Sequence, residues 1–183
     1  MRILLKRLVN KILALFNLEI QRTKKSLVTS TSCIKGYLGG HVIDEAERLG
    51  KKLWDYLEVK WNCVGYHQMI AEKLCYPFLD NSSIVVEIGT GAGLLASKII
   101  YKFPKITYYS LEPDNDLNKY LKKNFPKNLQ DVVLSGFNLK GIDTSSVDFV
   151  LAYGVFTYLD TAAIVLYCKD AVRVLREGGV FII

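Results

Sequence analysis

The stretch VVEIGTGAG, Val85 to Gly93, decides how this chain is read. An apolar run holding one acid is followed by three glycines at alternate positions. Ser83 to Ile88 has the length and the β-branched content of a strand buried on both faces of a parallel sheet. A helix is predicted from Leu94, so the glycines occupy a strand-to-helix turn. Glycine tolerates a positive φ there and has no Cβ to hold a ligand off the backbone. In an open α/β sheet, ligands bind beyond the carboxyl ends of the strands, where the strand order reverses. A tight turn that binds nothing is the plainer reading of the loop alone.

Outward from the loop, strands and helices alternate. Helices are expected over Leu94–Phe103, Asp114–Asn124 and Thr161–Arg176, each stopped by proline or glycine shortly after its end. Strands are expected over Ile106–Leu111, Val132–Ser135, Val147–Tyr153 and Val180–Ile183. Two helices precede them, Val42–Trp61, with Gly50 as a weak point, and Tyr66–Phe78. Right-handed βαβ crossovers then give an α/β fold with a doubly wound, mostly parallel sheet.

Spacing narrows the ligand. A dinucleotide loop runs GxGxxG, with the pyrophosphate on the helix N-terminus. Here the third glycine, Gly93, comes one residue early, Leu94 holds the place of the later one, and Glu87 lies two residues before Gly89. A carboxylate beside the loop repels pyrophosphate and attracts an ammonium group. Glu112, nineteen residues past Gly93 at the end of the second expected strand, is placed to accept hydrogen bonds from two ribose hydroxyls. Its plainer reading is a solvated acid near Asp114 and Asp116.

The net charge of +6 is local. Residues 1–25 carry seven basic side chains against Glu19, and the rest of the chain is balanced at seventeen of each sign. The main domain therefore has no basic footprint for nucleic acid. Leu4, Leu8, Ile12 and Leu15 share one helical face, which makes residues 1–22 a basic amphipathic helix. Its two readings are peripheral contact with an anionic membrane and docking against protein. Its apolar run, residues 12–16, is too short for a signal peptide or a span. Residues 23–41 read as a polar linker, and the domain is expected over 42–183, with 42–80 as a helical cover. The four cysteines and two histidines have no metal-ligand spacing, so no metal is expected, and reduced cysteines fit a cytoplasmic setting.

These segments resemble the class I S-adenosylmethionine-dependent methyltransferases, whose fold is Rossmann-like. EIGTGAG (87–93) looks like their first motif and Glu112 like their ribose acid. The segment 146–159, in which Asp148 opens the strand, resembles their fourth-strand motif, and 174–182 resembles the segment before their fifth strand, with Glu177 in place of proline. The resemblance implies S-adenosylmethionine as cofactor, held by Glu87, Gly89, Thr90, Gly91, Gly93, Glu112, Pro113, Phe137, Asn138 and Tyr153. Phe137 and Asn138 stand where relatives have a Gly-Asp-Ala run against the adenine. Thr157 and Tyr158 replace the Glu-His that often ends the fourth-strand motif. The family's closing β6/β7 hairpin is expected to be absent, because Ile183 falls in the fifth strand.

The expected reaction is methyl transfer to a small-molecule or glycan acceptor, at oxygen. Such an acceptor needs a general base, and the candidates are His67, Tyr153 and Tyr158, with His41 and Asp160 behind them. Two alternatives stay open: a non-catalytic cofactor-binding or membrane-associated module, and a nicotinamide-dependent dehydrogenase. Leu94 counts against the second.

Overall fold

The computed structural model describes residues 40–130 and 136–183. The basic helix expected at 1–22, the linker expected from residue 23, up to residue 39, and the strand expected at Val132–Ser135 lie outside them. The elements run α1 (Gly40–Arg48), α2 (Leu53–Lys60), α3 (Tyr66–Ile70), β1 (Ile84–Ile88), α4 (Leu94–Lys102), β2 (Thr107–Leu111), α5 (Asn115–Asn124), β3 (Leu129–Gln130), β4 (Val147–Leu151), α6 (Thr161–Val174) and β5 (Leu175–Ile182). All pairings are parallel and the strand order is β3-β2-β1-β4-β5. The order reverses between β1 and β4, so the carboxyl end of β1 is the switch point.

β1, β2 and β4 are buried on both faces, as their apolar runs require. Along β1, Val85 points to the face covered by α2 and α4, where Trp54, Leu57, Ile99, Tyr108 and Leu121 pack. Val86 and Ile88 point to the other face, with Leu111, Val150, Tyr167 and Ala171. The period of two therefore sends Glu87 to the Val85 face, into the core under the helical cover.

Two expected helices are corrected. Val42–Trp61 is broken into α1 and α2 at Gly50, whose φ of 64° is a left-handed conformation that ends a helix. Tyr66–Phe78 is α-helical only over its first five residues; Ala71–Cys75 is a π-turn and Tyr76–Phe78 a 3-10 turn, with Pro77 supplying no N–H. The strand expected at Val180 starts earlier. In β5, Leu175 pairs with Val147 and Val180 with Phe149, so Gly178 and Gly179 form a bulge inside the strand. Gly179 has no room for a side chain, because a Cβ would lie 2.9 Å from Leu175 Cδ2.

Polar side chains tie the layers together. Tyr120 Oη on α5 accepts from the Leu53 amide at 2.8 Å, satisfying a donor that the first turn of α2 leaves orphaned. Beside it, Trp54 stacks on Phe125 at 5.1 Å between centroids. Asp148 Oδ2 accepts from the Ile84 amide at 2.6 Å, linking the start of β4 to the start of β1. Its Oδ1 lies 2.6 Å from Arg176 Nε in an ion pair whose angles fall short of a hydrogen bond. Among the described residues, no helix is long and apolar enough to cross a membrane.

Candidate active site

The three glycines of the β1–α4 turn all have positive φ, at 72°, 55° and 80°. Their surroundings differ. A Cβ at Gly89 would lie 2.5 Å from Val155 Cγ2, and one at Gly93 would run into Leu121. A Cβ at Gly91 would meet nothing within 4 Å. Gly89 and Gly93 are thus small because protein packs on them, while Gly91 borders open space, where a ligand can approach its backbone.

Glu112, at the carboxyl end of β2, faces this turn. Its Oε2 accepts from the Gly91 amide at 2.7 Å and its Oε1 from the Asp114 amide at 2.9 Å. Burial, which leaves Glu112 only 5% exposed, pushes its carboxyl above the usual range, and these two amides oppose the shift. Each oxygen keeps a second lone pair, so the carboxylate can accept further hydrogen bonds. Asp114 is the N-cap of α5, accepting from the amides of Asp116 and Leu117. Pro113 is exposed between the two acids.

Glu87 is 3% exposed, and its Oε2 accepts from the Tyr108 hydroxyl at 2.7 Å. Burial pushes its carboxyl up to about 8; the Tyr108 hydrogen bond works against this and the charge of Glu112 adds to it. In the chain without ligand, Glu87 is thus mostly protonated at neutral pH, rather than a standing anion beside the loop. Burial likewise pushes the Cys75 thiol up to about 12, with Glu87 contributing. Thr90 turns its hydroxyl back to the Glu87 carbonyl at 3.4 Å.

The remaining expected residues divide. Tyr153 lies just beyond β4, two residues before Val155, which packs on Gly89. Its hydroxyl is 2.8 Å from that of Tyr66 at the start of α3. His67 lies edge-on to both rings, at 5.4 Å from Tyr66 and 6.5 Å from Tyr153. A carboxylate only accepts, so His67 Nδ1–H donates to Glu58 Oε1 at 3.1 Å. Burial pulls the imidazole below its ordinary value against the pull of Glu58, so His67 is neutral at pH 7. Lys98 on α4 reaches Glu58 Oε2 at 3.4 Å and completes this cluster under the cover.

Phe137 is half-buried and packs edge-on against Tyr167, on the opposite face of the sheet from α2. Asn138 accepts from the Lys140 amide at 3.0 Å. Tyr158 is 65% exposed. Asp160 is the N-cap of α6, accepting from the Ala163 amide at 2.7 Å, and His41 is exposed on α1. Among the described residues, no three His, Cys, Asp or Glu side chains are grouped as a metal site.

Sequence reasoning passed over Tyr66 and Tyr108. Tyr108 was legible in principle, because it pairs in register with Val85 on the Glu87 face of the sheet. Nothing local announces Tyr66, whose partner is 87 residues away.

Residues 86–183 match the family model described as "Methyltransferase domain", just over half of the chain. The chain belongs to that methyltransferase family. No curated protein matches it by sequence. Solved structures match by fold. A SAM-dependent methyltransferase of Leishmania major superposes with a TM-score of 0.56 at 16% identity, over 69% of this chain and 52% of that one. A TehB-like SAM-dependent methyltransferase of Corynebacterium glutamicum gives 0.53 at 20%, over 76% and 69%. A phosphoethanolamine N-methyltransferase of Haemonchus contortus, solved with phosphoethanolamine and S-adenosylhomocysteine, gives 0.53 at 21%, over 62% and 23%. At these identities the likeness is one of fold. This chain of the methyltransferase family spans about half the length of the first of these solved relatives.

Proposed function

We propose that this chain binds S-adenosylmethionine at the β1–α4 turn and takes part in methyl transfer to a small-molecule or glycan acceptor at oxygen. One observation carries the reading: Gly91 is open where its neighbours are packed, and its amide is held by Glu112 at the switch point of the sheet. The residues fit the cofactor. Gly91 allows close approach of the backbone, Glu112 has lone pairs for ribose hydroxyls, and Glu87, two residues before Gly89, is the acid proposed for the amino acid's ammonium. Pro113, Phe137 and Asn138 are proposed for the adenine side, and Tyr153 for the end nearest the acceptor. When bound, the cofactor supplies a sulfonium methyl with a good leaving group, so the chain's task is alignment and exclusion of water.

A nitrogen acceptor is the second reading. A neutral amine needs no general base to attack, and the Haemonchus relative is named as an N-methyltransferase. Cytoplasmic residence, and peripheral membrane contact through residues 1–22, remain part of the proposal on the sequence grounds given above. Calorimetric titration with S-adenosylhomocysteine and with NAD tests the cofactor. Binding of the former alone is expected; binding of NAD alone, or of neither, overturns the reading.

A further inference from the structure

We infer that the Tyr66–Tyr153 hydroxyl pair is the acceptor-side element of the site: it faces the transferable methyl and holds the nucleophilic N–H or O–H of an acceptor with an apolar body. The inference rests on the cofactor reading above and adds to it Tyr66 and the chemistry of the acceptor.

The pair ties the helical cover to the carboxyl end of β4. Tyr153 leaves the carboxyl end of β4, two residues before the Val155 side chain that packs on Gly89. Tyr66 opens α3 of the cover, immediately after Gly65, which holds a φ of 79° with open space around it. The hydroxyls meet at 2.8 Å. In such a pair one phenol donates to the other, which leaves one donor hydrogen and spare lone pairs for a third polar atom.

The surroundings select the acceptor. Behind the pair the Glu58 charge is already matched by Lys98, and His67 donates to it. Beside Tyr66, which is 45% exposed, Val64 and Met69 are 71% and 45% exposed, an apolar margin around a pair of neutral hydroxyls. Such a margin suits an uncharged acceptor with an apolar body and one hydrogen-bonding nitrogen or oxygen. In transfer, the acceptor's lone pair forms the new bond to the methyl carbon while the carbon–sulfur bond breaks and its electron pair stays on sulfur. The acceptor's proton passes to the Tyr153 hydroxyl as Tyr153 hands its own to Tyr66 and Tyr66 hands its own to water. Neither phenol ionises in the net step, consistent with Tyr153 being pushed up to about 12 by burial and by its bond to Tyr66.

The test needs no acceptor. Sinefungin is an analogue of S-adenosylhomocysteine in which a carbon bearing a primary ammonium replaces the sulfur, so its amine points where the methyl would. Kd values for both ligands are measured by calorimetry on the full chain and on Tyr66→Phe and Tyr153→Phe. In both variants the ratio of sinefungin affinity to S-adenosylhomocysteine affinity is expected to fall about tenfold, the effect of one hydrogen bond to a charged group. An unchanged sinefungin-to-homocysteine ratio in both variants overturns the inference. Failure of the unsubstituted chain to bind either ligand overturns the cofactor reading instead. Retained S-adenosylhomocysteine binding shows that a variant is folded; if either phenylalanine variant fails to fold, Tyr66→His, which keeps a polar ring, must restore part of the ratio or the inference falls.

Discussion

Replacing Glu87 with glutamine turns the burial of this carboxyl into a measurable pH dependence. In the folded chain it titrates at about 8, against an ordinary 4.5. Between those values the native state binds a proton that the unfolded state has released. Stability therefore falls as pH rises from about 4.5 to about 8, and Glu87 adds no slope outside that window. Each pH unit is worth about 1.4 kcal/mol, so Glu87 costs about 3 kcal/mol between pH 5 and pH 7. At about 2–4 °C per kcal/mol for a chain of this size, that is a shift of about 6–12 °C. Glutamine has nearly the shape of the protonated acid, accepts from Tyr108 through its amide oxygen, and does not ionise. Among the neighbours, burial keeps Tyr108 well above 10 and Cys75 near 12, and Thr90 does not titrate; Glu112, which burial also pushes up, is common to both chains and enters both sides of the comparison. The expected result of thermal unfolding at pH 5, 6, 7 and 8 is a gap in favour of Glu87→Gln that widens with pH. A gap constant to about 1 °C would refute the claim that Glu87 is protonated in the ligand-free fold. With S-adenosylhomocysteine present, an ammonium that meets Glu87 must ionise it, so the unsubstituted chain should bind more tightly as pH approaches 8 and the variant should not.

Gly91→Ala and Gly93→Ala should fail differently. The first should cost about 1–2 kcal/mol for its left-handed φ and abolish S-adenosylhomocysteine binding, while the second, overpacked against Leu121, should lose about 2–5 kcal/mol in urea unfolding. Tyr120→Phe strands the Leu53 amide at the start of α2, and chemical denaturation should show a loss of about 1–3 kcal/mol with cofactor affinity unchanged. Asp160→Ala removes the N-cap of α6; a loss of about 1 kcal/mol, with the sinefungin-to-homocysteine ratio unmoved, is expected, and a changed ratio would return Asp160 to the site.

What was legible in the chain was what periodicity encodes. Continuous apolar runs marked β1, β2 and β4 because a strand covered on both faces has no polar side to show. The switch point followed from strand order, and Glu112 from its place at a strand's end. Breaks in α1–α2 and α3 were less legible. Gly50 marked a weak point without saying that the helix would end there, and the π-turn, which packs on α4, is not written in local propensity. The Tyr66–Tyr153 pair was illegible for a plainer reason. A tyrosine at the start of a short helix has many possible partners, and only the folded chain selects one 87 residues away.

The glycine turn shows how far a motif can be trusted. Two of its three glycines would be required if nothing bound there, since Val155 and Leu121 leave no room for a Cβ at Gly89 or Gly93. Their presence is evidence for the fold. Only Gly91 has space around it, an amide anchored on the Glu112 carboxylate, and no packing reason to be small, although its φ of 55° also favours glycine. That conformational preference is a weaker constraint than a clash, because asparagine or aspartate tolerates it at small cost. A Gly91→Asn chain should therefore fold nearly as well as the original and still fail to bind S-adenosylhomocysteine. If it binds normally, the open space at Gly91 is not the place of the ligand, and the remaining support for the cofactor lies in Glu112 and in membership of the family.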